Sequence, residues 1–152
     1  MDKKFKEFLE INQELNKQNV VPVIYGSLGL YHLIGKQIDE IGDIDIVVPN
    51  SYVADKFGEL KNMMIGVGYS QDPNYMHEFT KGEGQIGFEP ESDLVELGID
   101  VHNLKITEKD GAKFKELSAS DYLKVYNRNL KTWEKKVESI KKKITALEKI
   151  KN

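Results

Sequence analysis

Apolar residues recur along this chain in two rhythms, and the switch from one to the other outlines its elements. From Lys3 to Asn19, Phe5, Phe8, Leu9, Ile11 and Leu15 fall at near-helical spacing among charged and amide residues, which predicts an amphipathic first helix. Val20-Val21-Pro22-Val23-Ile24-Tyr25 is a β-branched run ending at Gly26 and reads as a buried strand. Pro22 falls near its start, where a missing N–H is tolerated. Leu28, Leu30, Tyr31, Leu33 and Ile34 then suit a short helix stopped near Gly35. Ile44 to Val48 reads as a second strand, and Ser51 as the cap of a four-turn helix through Val53, Phe57, Leu60 and Met64.

The middle of the chain returns to strand patterns. Tyr75–Lys81 and Gln85–Glu89 flank the turn Gly82-Glu83-Gly84 as a hairpin, and Ile99-Asp100-Val101-His102-Asn103-Leu104 alternates like a further strand. From Ser118 onward there is neither Gly nor Pro. Leu123, Tyr126, Leu130, Trp133, Val137, Ile140, Ile144 and Leu147 recur at three and four, which predicts one long amphipathic helix capped by Ser118 or Ser120. The expected fold is α/β (α+β): a mixed, largely antiparallel sheet with helices packed on one side. Residues 1–117 are expected to form the main unit. Residues 118–152 would add a helix on that unit or, through a nearly heptad seam, on a second copy.

A length of 152 residues suits one domain and excludes a (β/α)8 barrel. With no cysteine, disulfides, thiolate metal sites and thiol nucleophiles are excluded together. His32, His77 and His102 lack ligand spacing. No apolar leader follows Met1 and no long apolar run appears downstream, so a cytoplasmic protein without membrane contact is the expectation. Net charge is −3, unevenly spread: residues 131–152 carry eight Lys against three Glu, a net of +5, leaving −8 on the rest. An acidic body argues against a broad nucleic-acid surface, and the basic tail reads first as a solvated helix face.

Candidate chemistry concentrates in Gly42-Asp43-Ile44-Asp45-Ile46-Val47-Val48. Aspartates at i and i+2 of a strand project to one face. Side by side they repel unless water screens them or a cation sits between them, and a hard divalent ion such as Mg²⁺ takes such oxygen ligands. A solvated strand end is the bland alternative. Gly26-Ser27 lies between a strand and a helix, where free backbone N–H groups and a hydroxyl can hold a phosphate. A third acid, Asp100, stands between β-branched residues in Ile99-Asp100-Val101.

The ordered set Val23-Ile24-Tyr25-Gly26-Ser27, then Asp43-Ile44-Asp45-Ile46-Val47-Val48, then Ile99-Asp100-Val101 resembles the nucleotidyltransferase superfamily of the DNA polymerase β type, over residues 20–105. The resemblance implies that Gly26 and Ser27 contact the triphosphate of a nucleoside triphosphate. It implies that Asp43 and Asp45 bind Mg²⁺ or Mn²⁺ and that Asp100 completes this catalytic and metal-binding cluster. It further implies transfer of a nucleoside monophosphate to an acceptor hydroxyl. Asp100 is the first candidate for the base, with Glu78 and Glu89 on the hairpin behind it; His102 shares the strand face of Asp100. The basic residue common soon after Gly-Ser is missing, only Lys36 being near. That gap and the small acceptor region motivate a rival: a catalytically silent relative that binds nucleotides or proteins. Tyr25, Tyr31 and Trp133 are candidates to stack on a nucleobase, with core packing the commoner use of such rings.

Overall fold

The computed structural model describes residues 2–132 and 136–151. Helix α1 (Asp2–Lys17) leads to strand β1 (Val23–Tyr25), helix α2 (Gly26–Ile34) and strand β2 (Ile44–Val48). Helix α3 (Phe57–Gly66) precedes β3 (Ser70–Gln71), β4 (Glu78–Lys81) and β5 (Gly84–Pro90), and the short α4 (Ser92–Val95) follows. Strands β6 (Lys105–Lys109) and β7 (Ala112–Glu116) then lead to α5 (Ala119–Thr132) and α6 (Val137–Lys151). No helix among the described residues is long and apolar enough to cross a membrane.

The seven strands form one sheet in the order β3-β4-β5-β2-β1-β7-β6. Neighbours run antiparallel except β2 with β5 and β1 with β7, so the sheet is mixed and largely antiparallel as expected. Period-two alternation divides its side chains between two cores. Ile24, Ile44, Ile46, Val48, Ile86 and Phe88 meet α1 and α3 on one face. Val23, Tyr25 and Val47 meet α5 and α6 on the other. Helices therefore cover both faces, not one. The central strands are apolar at consecutive positions because both of their faces are buried.

The C-terminal segment differs from the single helix its periodicity predicts. It forms two helices, and Lys143 of α6 lies 5.3 Å from the ring centre of Tyr126 on α5. In one continuous helix those residues would stand about 25 Å apart. A single helix from Ser118 would be about 50 Å long and would leave half of its seam facing water. Folded as two, the seam buries Leu123, Tyr126, Ile140 and Leu147 in one core. Ser118 begins α5 with a reciprocal cap, its Oγ accepting from the Asp121 N–H while Asp121 Oδ2 accepts from the Ser118 N–H.

Three further differences bear on the site. The helix expected from Ser51 is a 3₁₀ turn, Asn50–Val53, separated from α3 by Ala54, whose φ of −132° and ψ of −114° are not helical. Burial of Tyr52, Leu60 and Met64 in one core prevails there over local propensity. The β6–β7 hairpin turns at Asp110-Gly111, both at positive φ, in a stretch the periodicity leaves unassigned. Finally, Ile99 to Leu104 is not a strand. Val101–Asn103 is a 3₁₀ turn, with Ile99 and Val101 buried and Asp100 exposed.

Candidate functional site

Strand β1 ends at Tyr25 in extended conformation, and Gly26 turns the chain at φ +63° directly into α2. The residue before this helix makes no side-chain capping bond and the first turn holds no acid, so the helix itself supplies no charge to its positive dipole end. The antiparallel register sets Tyr25 opposite Asp45 and brings Gly26 against the Asp45 carboxyl. A Cβ on Gly26 would collide with Asp45 Oδ2 and stand 3.1 Å from its Cγ. Glycine is thus required twice, for the left-handed turn and for the close approach.

Asp43, exposed just before β2, and Asp45, mostly covered within it, border a cavity of about 770 Å³ together with Gly26 and Ser27. Two more carboxylates reach the cavity from the adjoining strands. Gly87 of β5 pairs with Asp45 and also with Glu78 of β4, and Glu89 lies two residues further along the same face. A Cβ on Gly87 would touch Asp45 Oδ1 at 3.6 Å and Glu78 Oε1 at 3.7 Å, so this glycine keeps the space between the two carboxyls open. Burial, with Asp43 and Glu78 beside it, pushes the Asp45 carboxyl up to about 6. Burial, with Asp45 and Asp93 beside it, pushes Glu89 up to about 7. Between the ordinary carboxylate range and these values, each keeps a proton that a solvated carboxyl would have lost.

The opposite wall comes from the C-terminal helices. Lys143 of α6 donates to Ser27 Oγ at 3.1 Å, and burial lowers its pKa although Asp39 opposes the effect. Arg128, the one arginine in the sequence, faces the cavity from α5 close to Glu89 and Asp93. Lys136 and Ser139 line it as well, and Ser139 hydrogen bonds to the Asp39 carboxylate, holding it below the usual range. A basic side chain thus reaches Ser27 from 116 positions along the chain, where no local pattern reveals it. Lys36 instead borders a separate groove.

Of the acids singled out in the sequence, Asp43 and Asp45 are brought together with Gly26 and Ser27, and Asp100 is not. Asp100 caps the 3₁₀ turn, accepting from the His102 N–H at 3.1 Å and Asn103 Nδ2 at 2.5 Å, and it does not border the cavity. His102 is exposed beside it. The alternation that suggested a strand reflects two buried apolar neighbours of an exposed cap. Glu89, on β5, borders the cavity with Asp43 and Asp45. Tyr25 is 8% exposed, packed in the core and bordering the cavity, and Tyr31 is half-buried against the other core. Trp133 lies outside the described residues.

Among the described residues no three His, Asp or Glu side chains converge as a ready-made metal-ligand group. The donor chemistry nevertheless fits Mg²⁺ or Mn²⁺. Asp43 and Asp45 supply hard oxygens, their crowding favours a cation, and such ions complete their shells with water and substrate phosphates.

No family model matches the chain. A nucleotidyltransferase-like protein from Paracoccidioides brasiliensis has a similar structure, with a TM-score of 0.70 at 15% identity, covering 97% of this chain and 77% of that one. The lincosamide antibiotic adenylyltransferase LnuA, solved with lincomycin bound, matches at 0.59 and 18% identity, covering 99% of this chain and 98% of that one. The chain shares its fold with these solved nucleotidyltransferase structures. It belongs to the family of the uncharacterized protein YnaI of Bacillus subtilis (strain 168), with 36% identity over 130 residues, 84% of this chain and 83% of that one.

Proposed function

We propose that this protein transfers a nucleoside monophosphate from a nucleoside triphosphate to a hydroxyl acceptor, with a divalent cation. The observation that carries the reading is the meeting of an uncapped helix start, Gly26-Ser27 and the Asp43–Asp45 pair on one cavity. The N–H groups opening α2 and the Lys143 ammonium hold the triphosphate. Asp43 and Asp45 hold Mg²⁺ or Mn²⁺, which when bound stabilises charge on the phosphates during displacement. Glu89, at about 7, accepts the acceptor's proton near neutral pH. The acceptor oxygen forms a bond to the α-phosphorus as the bond to pyrophosphate breaks.

Chain length is no obstacle to this reading. LnuA, 98% of which this chain covers, is described as an adenylyltransferase acting on lincosamide antibiotics. Lys143 also supplies the basic group whose apparent absence motivated a silent, nucleotide-binding rival.

Thermal unfolding with each nucleoside triphosphate, with and without Mg²⁺, tests the proposal. A ligand at about 100 times its Kd adds roughly 2.7 kcal/mol, or a shift of about 5–10 °C in a chain of this size. The expected result is a Mg²⁺-dependent shift that Asp43→Asn abolishes. No shift with any nucleotide would overturn it, and binding without pyrophosphate release across many acceptors would favour the silent rival.

A further inference from the structure

Helix α6 has a second functional-looking face, turned away from the catalytic cavity. Glu138, Lys141, Lys142, Thr145 and Lys149 recur along it at three and four residues and, with the end of α2 and residues 36–38, border an open groove of about 470 Å³. That volume lies within the range of sites that take ligands. Ile34, Ile38 and Ile150 give the groove an apolar lining, and Ile150 is 46% exposed.

The rim of the groove is basic. Among the described residues it holds Lys36, Lys141, Lys142 and Lys149 against Glu138 alone, and none of these lysines forms a close ion pair, though Lys142 acts on the Asp39 carboxylate. Three of the four belong to a segment of net charge +5 on a chain whose other 130 residues carry −8. Packing within the chain does not account for this face. Ile140 and Leu147 meet the core, while Ser139 and Lys143 face the cavity.

We infer that the groove docks an acidic amphipathic helix from a partner protein. Apolar side chains of the partner at i, i+3 or i+4 and i+7 enter the groove, and its carboxylates meet the rim lysines. A polynucleotide fits less well, because among the described residues no aromatic ring and no arginine lines the groove to stack bases or grip phosphates. A membrane fits less well because the surface is concave and exposes one large apolar side chain, Ile150. Ile38 adjoins Asp39, which Ser139 holds at the catalytic cavity, so a docked helix would bear on the segment walling that cavity. The docking itself does not depend on the proposed nucleotide chemistry.

Fluorescence anisotropy of the full chain tests this with three labelled probes. One is a peptide of about four turns with Leu on one face and Glu elsewhere. The others are a scrambled peptide of the same composition and an oligouridylate of similar charge. The patterned peptide is expected to bind at least about tenfold more tightly than the scramble, and Lys141→Glu with Lys142→Glu, or Ile150→Asp alone, to weaken it about tenfold. These positions are exposed, and unchanged far-UV circular dichroism would establish that the variants fold. Absence of binding, equal binding of the scramble or the oligouridylate, or indifference to the substitutions would overturn the inference. A concentration-dependent dimer abolished by the double lysine variant would give the groove to a second copy and overturn it too.

Discussion

The β1–α2–β2 unit and the α5–α6 pair form facing walls of one cavity, but they are held by different physics. The first wall is backbone. Asp45 sits in a paired strand with Asp43 just before it, and Gly26 lets main chain approach the Asp45 carboxyl within contact distance. The second wall reaches across by side chains: Tyr122 donates to the Ile24 carbonyl at 3.4 Å, and Lys143 donates to Ser27 at 3.1 Å. A strand pair fixes carboxylates in register, whereas a lysine on a packed helix delivers a cation that a phosphate can draw off the Ser27 hydroxyl. The rigid wall suits the groups that must crowd like charges, and the side-chain wall suits the group that must exchange partners.

The sharpest way to break this arrangement is at Gly29, where the two walls touch. A Cβ there would collide with the Tyr122 hydroxyl and stand 3.1 Å from the Ile24 carbonyl. Neither group can yield easily, since Tyr122 is 1% exposed and Ile24 lies in β1, which is paired on both sides. Gly29→Ala is expected to cost about 2–3 kcal/mol, lowering Tm by roughly 5–10 °C. An unchanged Tm would mean that α5 is not clamped to the sheet as described.

The next effect runs the other way. In the folded chain Asp45 titrates near 6, against about 4 when unfolded. Between those values the native state keeps a proton that the unfolded state has lost, so stability falls as pH rises through this window. Below it there is no penalty, and above it the penalty is complete. Asp45→Asn is therefore expected to stabilise the metal-free protein by about 2 kcal/mol at pH 8 and hardly at all at pH 4, while abolishing Mg²⁺-dependent stabilisation by nucleotide. Denaturant unfolding at the two pH values checks it. Equal gain at both would remove the electrostatic explanation.

Legibility follows the same division. Gly26, Ser27, Asp43 and Asp45 could be read because strand periodicity and a strand-to-helix turn are local, and their residues lie close in sequence. Lys143 and Arg128 could not, because helical periodicity places them on a face without saying which sheet that face will meet. No Gly or Pro marks the end of α5 or the start of α6. Asp100 misled because an exposed cap between two buried neighbours has the same pattern as a strand. The Asp110-Gly111 turn is a hairpin signal in its own right, but the edge strand β6 beside it is mostly charged and exposed, and its apolar pattern is correspondingly weak.

A smaller effect separates the two lysines that competed for the phosphate role. Lys143→Met removes a charge-assisted contact and is expected to weaken nucleotide binding about tenfold, or 1.4 kcal/mol, without lowering the Tm of the free protein. The second half of that expectation follows from its half-buried ammonium, whose charge is disfavoured by burial. Lys36→Met should leave nucleotide affinity unchanged. Titration calorimetry with the preferred Mg²⁺–nucleotide separates them, and equal losses would mean that the triphosphate lies differently in the cavity.

The smallest effect is expected at Asp100, and it sharpens the comparison because it concerns an acid outside both walls. Its carboxylate receives a backbone N–H and the Asn103 amide at the start of one 3₁₀ turn, so its loss resembles the loss of a helix cap. Asp100→Ala should cost about 0.5–1 kcal/mol and leave nucleotide binding untouched. Glu89→Gln, by contrast, should preserve binding and depress turnover, because the proton acceptor is removed while the phosphate contacts remain. If Asp100→Ala depressed turnover and Glu89→Gln did not, the third acid would lie where the sequence pattern first put it, and the cavity would have to close over the 3₁₀ turn during the reaction.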